Sequence, residues 1–155
     1  REERTMLLKN VRWAVLAVLL VVAVALAACS SEDDAAPVNT EQAAPSTYTT
    51  VNVRQAHEAL SADPDAIIVD VRTPQEWATT GVPTDAVLIT LDEIAQRAPD
   101  ALPQDQPIYL ICNSGNRSRV AADALLQLGF TSVYNVDGGI QDWLRADLPT
   151  EPYTP

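Results

Sequence analysis

Cationic side chains are scarce in this chain of 155 residues. Its one lysine is Lys9, and only six arginines follow Cys29. Arg1, Arg4, Lys9 and Arg12 against Glu2 and Glu3 leave residues 1–28 at +2; the whole chain carries −11, so the rest carries −13. Nothing clusters basic charge on one face, so nucleic acid is not an expected partner. The acidity favours solubility and repels a small anion at long range, so any anion site has to be local. Histidine is scarcer still: His57 stands alone, at ordinary amphipathic spacing in an early helix. A cysteine–histidine pair for amide chemistry is therefore not expected. The two cysteines, Cys29 and Cys112, make no disulfide framework, and no set of cysteines or histidines has metal-ligand spacing. A bridge between the two is set aside because Cys29 has another explanation. No metal and no organic cofactor is expected.

There is one long apolar run, 16 residues from Trp13 to Ala28, behind the basic Lys9 and Arg12. A membrane-spanning helix needs about 20 residues, and a signal-peptide core about 7–15. The run ends in Leu26-Ala27-Ala28-Cys29, which resembles the lipobox of bacterial lipoproteins. By that resemblance residues 1–28 are a lipoprotein signal peptide, and Cys29 is acylated on sulfur and becomes the mature N-terminus. The alternative is an uncleaved signal anchor. Either places the rest on the extracytoplasmic face of the cell membrane, held there by a lipid anchor in the first case. Residues 29–47 are rich in Ser, Glu, Asp, Ala and Pro, with no large apolar side chain except Val38, so they read as a flexible linker. Its 18 residues after Cys29 have a reach on the order of 25 Å.

The folded domain is expected over 48–148, with a loose tail at 149–155. Strand-like stretches at 48–53, 66–71, 86–90, 108–111 and 131–136 alternate with helix-like ones. Asn52 and Thr73 are expected as N-caps, with Pro74 in the first turn. The helix over 91–98 carries acids early and Arg97 late, and Pro99 is expected to end it. A helix over 118–128 ends at Gly129. Such alternation implies a parallel sheet with right-handed crossovers and helices on both faces.

One stretch carries chemistry. Ile108-Tyr109-Leu110-Ile111 runs into Cys112, then Asn113-Ser114-Gly115-Asn116-Arg117-Ser118. This is a strand, a polar loop with one glycine, and a helix start. It places a thiol at the C-terminal strand edge, where ligands bind in open α/β sheets. The helix points its free N–H groups and positive dipole end at the sulfur. Arg117, and Arg119 if it faces the loop, add cationic charge, and such surroundings lower a thiol's pKa. The simplest alternative is a small buried hydrophobe at a strand end. Without a histidine base, the thiol suits attack on a substrate with a stable leaving group, such as sulfite.

Cys112 to Ser118 resembles the active loop of rhodanese-like single-domain sulfurtransferases. Asp70-Val71-Arg72 with Glu76-Trp77, Val82-Pro83 before 86–91, and Asp137-Gly138-Gly139-Ile140 with Trp143 are similar to further family motifs in the right order. The resemblance implies a rhodanese-like five-stranded parallel sheet with helices on both faces. It implies transfer of a sulfane sulfur from a small anionic donor such as thiosulfate, or from a persulfide, through a persulfide on Cys112 to a thiol or cyanide. By the match, the amides from Asn113, Ser114, Gly115, Asn116, Arg117 and Ser118 cradle that persulfide and Arg117 holds the anion. Asp70 and Arg72 are possible supporting residues; Asp70 faces the cleft or braces a loop, and Arg72 with Glu76 is expected as a helix-start ion pair. Phosphatase-type relatives have one more residue between cysteine and arginine than the six-residue span here, and a wider bowl. Oxyanion chemistry is thus the weaker alternative, beside a non-catalytic sulfur-binding or partner-docking module. The family often has a histidine near Gly81-Val82-Pro83; this chain has none there, and Thr84-Asp85 adds length, which bears on the rim and the acceptor.

Overall fold

The computed structural model describes residues 47–155. The expected signal peptide, Cys29 and all of the linker but Thr47 lie outside the described residues. Among the described residues no helix is long and apolar enough to cross a membrane.

In chain order the elements are β1 (Thr49–Asn52), α1 (Val53–Ala62), β2 (Ile67–Asp70), α2 (Pro74–Thr80), β3 (Val82–Pro83) and β4 (Val87–Leu88). A 3₁₀ turn (Leu91–Glu93) leads into α3 (Ile94–Ala101), then β5 (Ile108–Ile111), α4 (Asn116–Gln127), β6 (Val133–Asp137), α5 (Gly139–Arg145) and β7 (Thr150–Glu151). Five strands form one sheet in the order β1-β6-β5-β2-β4, with every neighbouring pair parallel. This is the expected sheet, and β5 is its middle strand.

The apolar runs of β2 and β5 are buried on both faces, as central parallel strands must be. Alternate side chains divide between two cores. Ile108 and Leu110 of β5 pack with Val69, Ile94, Ala98, Ala121 and Leu125 on the α3/α4 side. Tyr109 and Ile111 pack with Val53, Ala56, Ile140 and Trp143 on the α1/α5 side. Cys112 belongs to the first core, so its side chain lies on the α4 side.

Several helix starts follow local chemistry. Asn52 caps α1 and Thr73 caps α2, each in a reciprocal capping box with Gln55 and Glu76 at the third position. Elsewhere packing overrides local signals. Pro99 does not end α3 but sits inside it, although an interior proline removes a helical hydrogen bond. Buried Ala98 and Leu102 on either side of it hold that turn against the core. The helix expected to start at Ser118 starts at Asn116, which brings Arg117 into its first turn. The 149–155 tail is not loose: β7 pairs antiparallel with β3, and the Tyr153 ring lies 5.4 Å from that of Trp77.

Arg72 does not pair with Glu76. Its guanidinium is 1% exposed and grips Asp70, 0% exposed, with Nε 2.9 and 3.0 Å and Nη2 2.6 Å from the carboxylate. Nη1 donates to Thr80 Oγ1 and Nη2 to the Gly81 carbonyl, both at 2.7 Å. The pair fastens the end of β2 to the end of α2. Breaking it strands a buried carboxylate, so Arg72→Ala should cost about 3–5 kcal/mol. The check is a lower urea midpoint at unchanged m-value.

Candidate active site

The loop after β5 closes around its own sulfur. Gly115 adopts φ +95° at the start of α4, a backbone region that favours glycine, and its N–H donates to Cys112 Sγ at 3.1 Å. Ser118, one turn into α4, places Oγ 3.4 Å from Sγ. The Cys112 residue is 1% exposed, so it is packed as a core residue while its polar neighbours face it. Burial pushes the thiol up, but the Ser118 hydroxyl and amide, with the Ser114 and Gly115 amides, outweigh it and hold Cys112 below its ordinary value. Of the expected cradle, these are the groups that reach the sulfur. Ser114 and Asn116 are exposed.

The loop is braced from behind by α5. Ile140 N–H donates to the Cys112 carbonyl at 2.8 Å and Gln141 N–H to the Asn113 carbonyl at 3.3 Å. Gly139, at φ +57°, allows this approach, because a Cβ there would run into both carbonyls. The Asp137-Gly138-Gly139-Ile140 stretch therefore acts through backbone contacts, turning the two loop carbonyls away from the sulfur and the amides toward it.

The glutamate expected to pair with Arg72 pairs with Arg117 instead. Arg117 lies in the first turn of α4, and its guanidinium makes a two-pronged pair with Glu76 of α2: Nη1 to Oε2 at 2.8 Å and Nη2 to Oε1 at 2.5 Å. Glu76 Oε2 also accepts from Thr73 N at 3.0 Å and Thr73 Oγ1 at 2.9 Å. Arg117, opposed by burial and helped by Thr73, holds the Glu76 carboxyl down at about 2. Glu76 in turn pushes the guanidinium of Arg117 up, with smaller contributions from Cys112 and Asp70. Arg119 turns away to Asp137 at 3.5 Å, near the end of β6, with both groups half exposed. Asp70 faces Arg72 and has a structural role, as does Arg72. His57 packs edge-on against Trp143 on the α1/α5 side, 5.7 Å between ring centroids.

Asn135 was not legible as a site residue. It is a fully buried polar side chain in β6, and its Oδ1 accepts from Ser118 Oγ at 2.6 Å. Its Nδ2 is buried and has no partner among the described residues. The only hint is one asparagine in an apolar strand, Val133-Tyr134-Asn135-Val136. The single Ser118 hydroxyl proton has two acceptors, Asn135 Oδ1 and Sγ, and serves one at a time.

Loss of a donor to the charged form disfavours the thiolate. Ser118→Ala should therefore move the pH midpoint of Cys112 alkylation upward by about one unit. Iodoacetamide rates across pH, with folding checked by circular dichroism, read this directly.

Comparison with known proteins agrees with this architecture. The family model for a rhodanese-like domain matches residues 53–146. A rhodanese-related protein from Thermoplasma volcanium shares 30% identity at a TM-score of 0.60, over 68% of this chain and 100% of that one. A homodimeric polysulfide-sulfur transferase from Wolinella succinogenes shares 26% identity at 0.60, over 73% of this chain and 85% of that one. A Rhodopseudomonas palustris protein described as a possible tyrosine phosphatase shares 24% at 0.61, over 67% and 85%, and this likeness concerns the fold alone. With its parallel five-stranded sheet and cysteine loop at the strand edge, the chain belongs to the rhodanese-like domain family.

Proposed function

We propose that this domain moves a sulfane sulfur through a persulfide on Cys112. The carrying observation is a thiol at the end of β5 with the Gly115 amide 3.1 Å from its sulfur and the Ser118 hydroxyl beside it. In the first step the Cys112 thiolate attacks the outer sulfur of a donor. With thiosulfate the S–S bond breaks and sulfite leaves with the electron pair; with a hydropersulfide a thiolate leaves. In the second step a thiol or cyanide takes the outer sulfur, and Cys112 departs as a thiolate. The same amides stabilise that sulfur as nucleophile and as leaving group, and a lower-pKa thiol leaves faster. Neither leaving group needs a proton from a histidine, which suits a chain whose one histidine lies elsewhere.

Burial of Cys112 at 1% exposure favours a second reading, in which the domain binds sulfur or docks a partner without turnover. The two readings part at the second step. Phosphatase-type chemistry is disfavoured by the six-residue span from Cys112 to Arg117, which leaves a ring suited to a terminal sulfur.

The test is incubation with thiosulfate or a hydropersulfide, then intact-mass measurement. Wild type should gain one sulfur and Cys112→Ser none; no gain with either donor sinks the reading. Release of that sulfur to cyanide or thiols, over many turnovers, separates transfer from binding alone.

We also propose a location for the domain. The Leu26-Ala27-Ala28-Cys29 stretch supports a lipid anchor on Cys29 that holds the domain at the extracytoplasmic face of the membrane, with residues 30–47 as the tether. One acyl chain alone anchors only marginally, so more than one is required. Expressed at full length in a bacterial host, the wild type should partition with membranes and detergent, and Cys29→Ala should lose acyl-chain labelling. Equal labelling of the two forms refutes the anchor.

A further inference from the structure

We propose that Glu76 sets the donor class of this site by occupying Arg117, so that donors of low charge are used in preference to the thiosulfate dianion. The inference rests on the sulfur-transfer reading above and concerns which donor the same site accepts.

Arg117 lies in the first turn of α4, the resemblance assigns it the anionic donor, and its guanidinium is already paired. Both of its outer nitrogens bond the Glu76 carboxylate, at 2.8 and 2.5 Å. Such a fork-to-fork pair is among the stronger charge-assisted contacts. Glu76 is not free to swing aside. It sits at the third position of α2, and its Oε2 is held by the Thr73 amide and hydroxyl in the capping box. An incoming sulfonate-like group has to displace this anchored carboxylate or share the guanidinium with it. The other cations near the loop offer no relief, since Arg72 is closed around Asp70 and Arg119 faces Asp137. Around the sulfur, attraction for an anion is left to backbone amides, in a chain carrying −13 beyond residue 28. Thiosulfate brings two negative charges to this site; a hydropersulfide of a neutral thiol brings at most one. Atoms and charge balance in either case: RSSH and the Cys112 thiolate give the Cys112 persulfide and RS⁻, whereas thiosulfate gives the persulfide anion and sulfite.

Glu76→Gln separates charge from architecture, because glutamine also completes a capping box. The readout is the ratio of kcat/KM for thiosulfate to kcat/KM for 2-mercaptoethanol hydropersulfide at fixed ionic strength, which cancels any loss of folded protein. Glu76→Gln should raise that ratio about tenfold, equivalent to 1.4 kcal/mol. A rise of threefold or more supports the assignment, and a smaller rise or a fall overturns it. Thiosulfate binding to Cys112→Ser and to Cys112→Ser/Glu76→Gln, by calorimetry, reads the same charge effect without any transfer. Tighter binding to the double variant supports the role of Glu76; equal or weaker binding refutes it. Failure of sulfur uptake in the wild type with both donors would instead refute the transfer reading, whatever the binding shows.

Discussion

The molecule depends on an arrangement of backbone amides around one sulfur. A buried thiol is ordinarily driven toward its neutral form, because a low-dielectric interior penalises charge. Here Cys112 is as buried as the aliphatic residues beside it, yet donors on Ser114, Gly115 and Ser118 hold it below its ordinary value. Two things outside the loop make this possible. The strand's two-residue period puts the sulfur on the α4 side, where the following turn can wrap it. Then α5 ties down the Cys112 and Asn113 carbonyls, which would otherwise be free to turn toward the sulfur. Gly115 is needed for its φ of +95°, and Gly139 because a Cβ there would run into the Cys112 and Asn113 carbonyls.

Charge around this centre is graded by depth. Asp70–Arg72 is fully buried, and each guanidinium nitrogen has at least one partner among Asp70, Thr80 and the Gly81 carbonyl. It behaves as a rivet, costly to break and weak evidence of net stabilisation. Arg119–Asp137 is exposed, longer and of the kind that contributes little. Glu76–Arg117 lies between the two, a third exposed and bidentate, joining the helix after β2 to the helix after β5. It is the pair made by the loop's own arginine, and the proposed choice of donor turns on it.

Much of the architecture could be read from neighbours in the chain. A helix cap is a local feature, so Asn52 and Thr73 were legible as N-caps from residue type and position, while the structure supplied Gln55 and Glu76 as the residues that complete their capping boxes. Buried strands announced themselves as continuous apolar runs, and the cysteine at the end of one marked the loop. The departures from local pattern involve competition. Pro99 argues locally for a helix end, and the core contacts of Ala98 and Leu102 override it. Residues 149–155 carry no strong pattern and are ordered by an edge pairing with β3 and a tryptophan ring, which no local signal discloses.

By itself, the amino-acid order determined the parallel α/β sheet, the thiol at a strand's C-terminal edge and the six-residue span to Arg117. Each of these is written within a few residues, as periodicity, capping or spacing. The tertiary structure decided which carboxylates Arg72 and Arg117 take, with Arg117 going to a glutamate 41 positions away and Arg72 to the aspartate two residues before it. It also decided that Asn135 lies beneath Ser118. Three arginines and several acids can be matched in many ways along a chain. The choice is made only when strands and helices are packed, because electrostatic and hydrogen-bonding partners are selected by distance in space and by what else must be satisfied in the same buried volume.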